Sequence, residues 1–411
     1  MVFKRRNIYA LILLVPFFWS CEPSNKEYDS LESIDQVSYN FHIRPILSDK
    51  CFACHGPDAN KREADLRLDL ESSAFKVLKE NPGKFALVSG KPEESEVYHR
   101  ISSLDPSEMM PPPESNLKLS EGEIALIKKW IEQGAKYEPH WAFVKAEKGK
   151  LPPKTEWAKN EIDQFTLQKM KEKGLKPNPK AESYELIKRV SLDLTGLPPS
   201  PEILQQFSDL DESSNYENLI DNLLEEKSFG EKLAILWMDI SRYADSYGYQ
   251  DDNIRTQWPY RDWVIHALNS NLPYDQFITW QIAGDLLPNP TKEQILATAF
   301  NRNHKYTEEG GVIDEEYRVE YVLDKTNTFS KGILGITMEC AQCHDHKYDP
   351  FSQKEYYEFF AFFNNSPEKG YEGDVSISKP AKTPILWIER EDLGGILDFI
   401  NYPDTSKLSV S

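Results

Sequence analysis

The residues best suited to chemistry lie in two pentapeptides, Cys51-Phe-Ala-Cys54-His55 and Cys340-Ala-Gln-Cys343-His344. Two thiols three positions apart can add to the two vinyl groups of one haem, and the histidine that follows can bind the iron as its proximal ligand. The chain has 411 residues but only 5 cysteines and 8 histidines, so two chance matches would be very rare. The spacing therefore predicts a c-type haem protein with two covalently bound haems.

The first motif has a candidate distal ligand on a proline-rich loop. Met109 and Met110 stand directly before the prolines at 111–113, and a stiff loop lowers the entropy cost of holding a weak thioether ligand. Met110, which adjoins the prolines, is preferred over Met109, and His42 and His99 are weaker alternatives. Histidine–methionine ligation raises the reduction potential, which favours electron transfer over oxygen binding.

The second motif has two possible interpretations, a zinc site and a haem attachment site. A Cys-x-x-Cys pair also forms half of a zinc site, but a zinc ribbon needs a second pair roughly 15–20 residues away. The other pair, at Cys51 and Cys54, is remote and has its own histidine, so the pattern favours haem. The sixth ligand is left open: His304 and His266 are candidates, and an open position would allow small-molecule chemistry.

Polar clusters in the same half of the chain are candidates for a pocket beside the second haem. Arginines can pair with haem propionates, and carboxylates can serve as an acid or base. Ion pairs and caps on helix surfaces are the alternative explanation. The clusters are Arg242-Tyr243-Ala244-Asp245, Tyr260-Arg261-Asp262-Trp263 and Glu308-Glu309-Gly310-Gly311.

The N-terminus has the features of an export signal. Basic residues at 4–6 precede an apolar stretch, Ile8 to Trp19, that is too short to span a bilayer, and Ser20-Cys21 follows directly. A small residue before a cysteine resembles a bacterial lipoprotein cleavage site, with an ordinary signal peptide and a free Cys21 as the alternative. Lipid on Cys21 and haem on the other four cysteines would leave none for disulfides. We therefore expect an exported protein, at the periplasm or cell surface, anchored to a membrane through Cys21.

The acidic composition indicates which kind of macromolecule could bind this protein. The net charge is −19, and an acidic surface repels phosphates, so nucleic acid is not an expected partner. Such a surface would suit a basic redox protein, although solubility alone also explains it.

Hydrophobic periodicity predicts a mainly α protein with a small cytochrome c-like helical domain and a larger, mostly helical one. Ser120 and Glu123 form a predicted capping box for the last helix of the first domain, which ends at Gly134. Residues 64–70 could be a short strand or a loop. The predicted segments are a lipoprotein signal peptide at 1–20, a tether at 21–36, the cytochrome c-like domain at 37–137, a linker at 138–156, the helical domain with the second motif at 157–365, and an extension at 366–411.

Longer motifs resemble a known pair of domains. Arg44-Pro45-Ile46-Leu47, the Cys51 motif with Gly56-Pro57, Leu66-Arg67-Leu68-Asp69 and Met110-Pro111-Pro112 resemble the planctomycete-type cytochrome c domain. Leu192-Asp193-Leu194-Thr195-Gly196, Ala283-Gly284-Asp285-Leu286-Leu287 and the run from Cys340 to Pro350 resemble the domain of unknown function that follows it in those proteins.

This resemblance implies haem binding and electron transfer, but it supplies no substrate. The related proteins usually continue into a further large domain, and the sequence leaves open whether this chain is a truncated or split product. They often occur in organisms rich in polysaccharide-degrading enzymes, which suggests a carbohydrate-derived substrate by association only. Three hypotheses result: a dihaem electron carrier, a haem-dependent oxidoreductase, or a protein whose second domain is a scaffold without haem.

Overall fold

The fold is described from a computed structural model that covers residues 34–208, 210, 213–346, 349–373, 379, 381–397 and 408–410. The predicted signal peptide, Cys21 and most of the predicted tether lie outside these described residues. The chain divides into two compact units, the first made of residues 34–145 with 349 and 350, and the second made of the remaining described residues.

The first unit is a small helical domain. A π-helical turn at Tyr39–Ile43 leads into the first helix, which ends just before the motif, and a second short helix lies within the motif itself. The helices are α1 (Arg44–Lys50), α2 (Phe52–His55), α3 (Glu71–Ala74), α4 (Glu96–Ser102) and α5 (Glu121–Glu132).

Helix α5 begins as the capping box predicts. The Ser120 side chain accepts from the Glu123 backbone, and the Glu123 side chain accepts from the Ser120 backbone, so two otherwise orphaned donors are paired. Its apolar face carries Trp130, whose ring lies 5.8 Å from Tyr39 and 5.4 Å from Tyr137, measured between centroids. The buried aromatic cluster joins the last helix to the first turn of the domain.

Residues 64–70 form a loop and not a strand. Ala64 and Asp65 have φ angles of 53° and 51°, in the left-handed region that a strand does not use. The Leu66 and Leu68 amides are held by the carbonyls of Glu63 and His55. The alternation of polar and apolar residues in this stretch therefore arises from a loop with one face toward the core.

The second unit is built from longer helices. Their bounds lie within a few residues of those that apolar periodicity in the sequence predicts, for example 162–173, 184–194 and 274–283. Gly196, at φ 73°, ends one helix in the left-handed conformation, as its position before two prolines predicts. The helices are α6 (Glu161–Glu172), α7 (Ser183–Thr195), α8 (Pro201–Gln206), α9 (Ser213–Glu225), α10 (Lys227–Ser241), α11 (Trp258–Asn269), α12 (Tyr274–Ala283), α13 (Lys292–Ala297), α14 (Asp314–Gly332) and α15 (Gln353–Phe363).

Three described residues beyond 365 pack into the core of the second unit. Helix α16 (Gly394–Leu397) follows strand β1 (Leu386–Ile388), which pairs antiparallel with β2 (Leu408–Val410). Ile388, Leu393 and Ile396 join the apolar cluster around Trp263 and Phe300. Because β1 and β2 are the only strands in the part of the chain that is described, the expected mainly α class is confirmed. No helix within those residues is long and apolar enough to cross a membrane.

Candidate functional site

The first motif forms a helical turn that opens onto a cavity. The Cys54 and His55 amides both donate to the Cys51 carbonyl, at 3.1 and 2.8 Å, which places positions three apart on one side of the turn. Immediately afterwards the chain bends tightly at Gly56, where an added Cβ would overlap the Phe52 carbonyl oxygen. The loop then returns, and the Glu63 and Leu68 amides bind the Cys54 and His55 carbonyls at 2.8 and 2.9 Å.

A cavity of about 690 Å³ brings together the residues that the first motif predicts. Cys51, Cys54 and His55 lie on its wall, and so do Met109 and Met110. This volume lies within the range of roughly 300–1,000 Å³ that is usual for cofactor sites. The remaining wall is largely apolar, with side chains from Leu66, Leu68, Leu78, Val97 and Ile101.

The two methionines are held on the wall by backbone hydrogen bonds. The Met110 amide donates to the Arg100 carbonyl at 3.0 Å, and the Met109 amide donates to Asp105 at 2.8 Å. Both side chains are half-buried, so the structure does not choose between them. The choice of Met110 stays a prediction.

The two alternative histidines have other roles in this domain. His42 accepts a hydrogen bond at Nδ1 from the Ser38 backbone, at 2.9 Å. His99 is exposed, and its Nε2 lies 2.7 Å from the Glu93 carbonyl. Neither contributes to the cavity wall.

The electrostatics of the first site keep its ligands uncharged. Burial lowers the pKa of His55, against the opposing effect of the Glu63 backbone, and a neutral imidazole is the form that binds iron. Burial also raises the pKa of the Cys51 thiol to about 12, which keeps it protonated. Arg100 on the wall supplies a cation that can pair with a carboxylate.

These residues fit a c-type haem. The Nδ1 atom of His55 is buried and makes no well-formed hydrogen bond within the described part of the chain, an arrangement that is costly unless the ring serves another purpose. Cys51 and Cys54 are free thiols on the same wall. The donor set, two thiols, one imidazole and a thioether across an apolar cavity, matches the chemistry of covalent haem.

The second motif lies in a 3₁₀ turn, Glu339–Gln342, after helix α14. Cys340, Cys343 and His344 are exposed. His344 places Nδ1 2.7 Å from the Asp345 carbonyl, so this nitrogen donates and Nε2 keeps the lone pair that a metal ligand needs. The donor set therefore fits haem attachment, and these three side chains are not among the residues that line the polar cavity beside the motif.

A polar cavity of about 590 Å³ adjoins the second motif. Glu339 and Gln342 of the motif turn line it together with Arg242, the first residue of a predicted polar cluster. Arg242 Nε lies 2.6 Å from Asp324 Oδ1, while Nη1 and Nη2 are buried without an acceptor among the described residues. This guanidinium could pair with a carboxylate placed in the cavity.

The other predicted clusters do not line this cavity. Arg261 stands 6.0 Å over the Tyr243 ring and pairs with Asp262 at 3.0 Å, so two of the clusters meet. Glu308 instead forms an ion pair with Lys382 and accepts from Asn253 at 2.7 Å. Of the three predicted clusters, therefore, only the one that begins at Arg242 contributes a residue to this cavity.

The two histidines considered as sixth ligands of the second haem are placed differently. His304 is buried, its Nε2 lies 2.6 Å from Glu368 Oε1, and its Nδ1 lies 2.6 Å from the Lys305 carbonyl. Both nitrogens are thus engaged with protein oxygens. His266, in the last turn of α11, is half-buried beside Gly395.

Glu368 is the centre of a buried ionic network that the sequence did not reveal. It accepts from Arg302, His304 and Lys325, and burial, which alone would raise its pKa, is outweighed by these partners, so the pKa lies well below its usual range. Arg255 is connected to this network because its guanidinium donates hydrogen bonds to the backbone carbonyls of Arg302 and His304. Glu368 belongs to no motif and follows the predicted domain boundary at 365, so no local signal marked it.

The zinc alternative gains no support from the described residues, because no three histidine, cysteine or carboxylate side chains among them cluster as a metal site would require.

Comparisons with known families agree with this arrangement. The profile described as Planctomycete cytochrome C matches residues 51–114, and the profile described as Protein of unknown function (DUF1549) matches residues 161–368. No curated protein and no solved structure shows significant similarity to the chain. Since the second profile covers more than half of the 411 residues, the chain belongs to the DUF1549 family and carries a cytochrome c-like haem-binding domain ahead of it.

Proposed function

We propose that this protein is an exported, lipid-anchored dihaem cytochrome c that transfers electrons. The observation that carries the proposal is the first cavity, whose largely apolar lining includes Cys51, Cys54, His55 and a methionine pair. When bound there, haem supplies a one-electron couple, and a thioether ligand poises it at a high potential. The chain's own part is to hold the ligands neutral and to exclude water.

The second haem is proposed on chemical grounds. Cys340, Cys343 and His344 repeat the attachment pattern, and the hydrogen bond of His344 Nδ1 leaves Nε2 for a metal. The terminal nitrogens of Arg242, which have no acceptor among the described residues, would pair with a carboxylate of that cofactor. Cys21 would carry the lipid, and the acidic surface would receive a basic redox protein.

A haem-dependent oxidoreductase is the second candidate. Both nitrogens of His304 are occupied by Glu368 and the Lys305 carbonyl, so this ring is not available to close the second site. A second haem with an open position could act on a small, carbohydrate-derived molecule, bound in the second unit.

A haem count tests the proposal. The protein is matured in a periplasm that attaches haem c, and intact mass and pyridine haemochrome absorbance are measured for the wild type, Cys51→Ala/Cys54→Ala and Cys340→Ala/Cys343→Ala. Two haems in the wild type and one in each double variant are expected. One haem in the wild type, lost only with the first pair, would contradict the dihaem proposal.

Visible spectra of the same samples separate the two candidates. Two low-spin haems indicate electron transfer, whereas a high-spin signal that disappears with the Cys340→Ala/Cys343→Ala variant indicates an open second site and the oxidoreductase.

A further inference from the structure

The second unit contains another cavity, of about 780 Å³, which is separate from both haem motifs. Its wall is mostly apolar, and two cations, Arg302 and Lys325, lie on it. Phe362 and Leu286, at the wall, are 77 % and 79 % exposed, so the cavity opens to solvent through apolar side chains. Aromatic and aliphatic residues line the rest, chiefly Phe329, Phe359, Phe363 and Leu296.

The cations behind this wall outnumber their counter-ion. Glu368 pairs with both Arg302 and Lys325, and Arg255 adds a third cation beside them through its hydrogen bonds to the carbonyls of Arg302 and His304. Arg255 and Lys325 are almost fully buried. Asp285, also on the wall, is exposed and remains in water. A buried excess of positive charge is costly unless an anion compensates it.

Hydrogen-bonding capacity is left over at the same place. The Nε atom of Arg302, which lies on the wall, is buried without an acceptor in the described residues, although the terminal nitrogens of Arg302 are engaged by Glu368, Lys382 and Thr383. Unsatisfied donors beside a cavity mark a position where a ligand oxygen would be stabilised.

We propose that this cavity binds an amphipathic organic carboxylate, with its apolar body among the phenylalanines and its carboxylate against Lys325 and Arg302. The apolar wall alone would accept a neutral hydrocarbon, but the excess cations add a preference for an anion, since charge-assisted hydrogen bonds are the stronger ones. Neither haem is needed for this binding, so its success or failure is independent of the haem count.

The test is isothermal titration of the mature haem-loaded protein with decanoate, and with 1-decanol as the uncharged control of equal length. Decanoate is expected to bind at one site with a Kd at least about tenfold lower than that of 1-decanol, the ratio typical of one charge-assisted hydrogen bond. Absence of saturable binding, or equal affinity for both compounds, would overturn the proposal.

Two variants locate the site. Phe362→Glu should weaken decanoate binding at least about tenfold, because it places a like charge at the opening, while Ile162→Glu on α6, where the side chain is 75 % exposed and outside the wall, should leave the Kd within about twofold. Lys325→Met, checked for folding by circular dichroism, should abolish the preference for decanoate over 1-decanol. Equal losses in Phe362→Glu and Ile162→Glu would count against this cavity.

Discussion

At the scale of single residues, the first haem site depends on which sulfur reaches the iron. Met109 and Met110 both line the cavity and both are tied to the backbone of the α4 region. The difference between them is the neighbouring proline run, which restricts the backbone on one side of Met110.

Replacing the ligand methionine should change the redox properties and leave haem attachment intact. Met110→Ala is expected to remove the absorption band of methionine-ligated ferric haem and to lower the potential by on the order of 0.1 V, within the ~0.8 V range that axial ligands span. Met109→Ala is the matched control and should retain both. Spectroscopy and potentiometry check this, and the reverse pattern would assign Met109 as the ligand.

Glu368 is the residue on which the buried network of the second unit depends. Glu368→Gln leaves Arg302 and Lys325 buried without their counter-ion, so a loss of about 3–5 kcal/mol in the free energy of unfolding is expected. Glu315→Gln removes only the exposed carboxylate paired with Arg318, an interaction screened by water, and should cost far less. Chemical denaturation followed by circular dichroism measures both, and equal costs would show that the network does not stabilise the fold.

At the scale of elements, a close contact between two backbone segments fixes the position at which the chain after α15 crosses α14. Gly370 lies against the N-terminal turn of α14, where an added Cβ would overlap the Asp314 carbonyl oxygen and crowd the Arg318 amide. The Tyr321 hydroxyl donates to the Gly370 carbonyl at 2.9 Å and secures the crossing. This crossing brings Glu368 to its partners.

Gly370→Ala should therefore destabilise the second unit strongly. Overpacking at a backbone crossing forces a shift of the whole segment, and a cost of about 3 kcal/mol or more is expected. Gly394→Ala is the control, because its added methyl would meet no atom within contact distance, and it should be nearly neutral. Thermal unfolding curves compare the two, and a neutral Gly370→Ala would contradict the crossing.

At the scale of the whole molecule, the pH dependence of stability should carry the signature of Glu368. Its pKa is lowered in the folded state below the ordinary value of 4.5. The stabilisation it provides is therefore complete above about pH 4.5 and is lost as the pH falls through the folded pKa. Accordingly, the difference in unfolding free energy between the wild type and Glu368→Gln should be constant from pH 7 to about pH 5 and should shrink at lower pH. A difference that grows on acidification would refute this linkage.

The net charge of −19 should govern electron exchange with small charged reagents. Reduction by hexaammineruthenium(II) should slow several-fold when ionic strength rises from about 0.01 to about 0.1 M, because screening shortens the range of attraction from about 30 to about 10 Å. Reduction by hexacyanoferrate(II), an anion, should accelerate over the same range. Stopped-flow absorbance measures both rates. Rates that do not change with salt would mean that the acidic surface does not affect the approach of charged reagents to the haem.

Much of the fold and part of the site were predictable because they are encoded locally. The helix bounds follow from apolar periodicity, and the capping box at Ser120 and Glu123 follows from a pattern four residues long. The attachment motifs are equally local, since the helical turn that follows Cys51 is set by its own backbone hydrogen bonds. The alternation at 64–70 was ambiguous because periodicity alone does not separate a strand from a loop that touches the core.

The sequence by itself thus determined the haem chemistry, the helical class and the family-like pair of domains. The tertiary structure decided which distant residues meet: Met110 and His55 line one cavity, Arg242 and Glu339 line another, and Glu368 pairs with Arg302 and Lys325. These pairings join positions far apart in the chain, and their energies come from burial and charge compensation, which no local spacing records. The same reason hid the proposed carboxylate-binding cavity, because its cations and phenylalanines come from α14, from α15 and from the 3₁₀ turn that ends at Arg302.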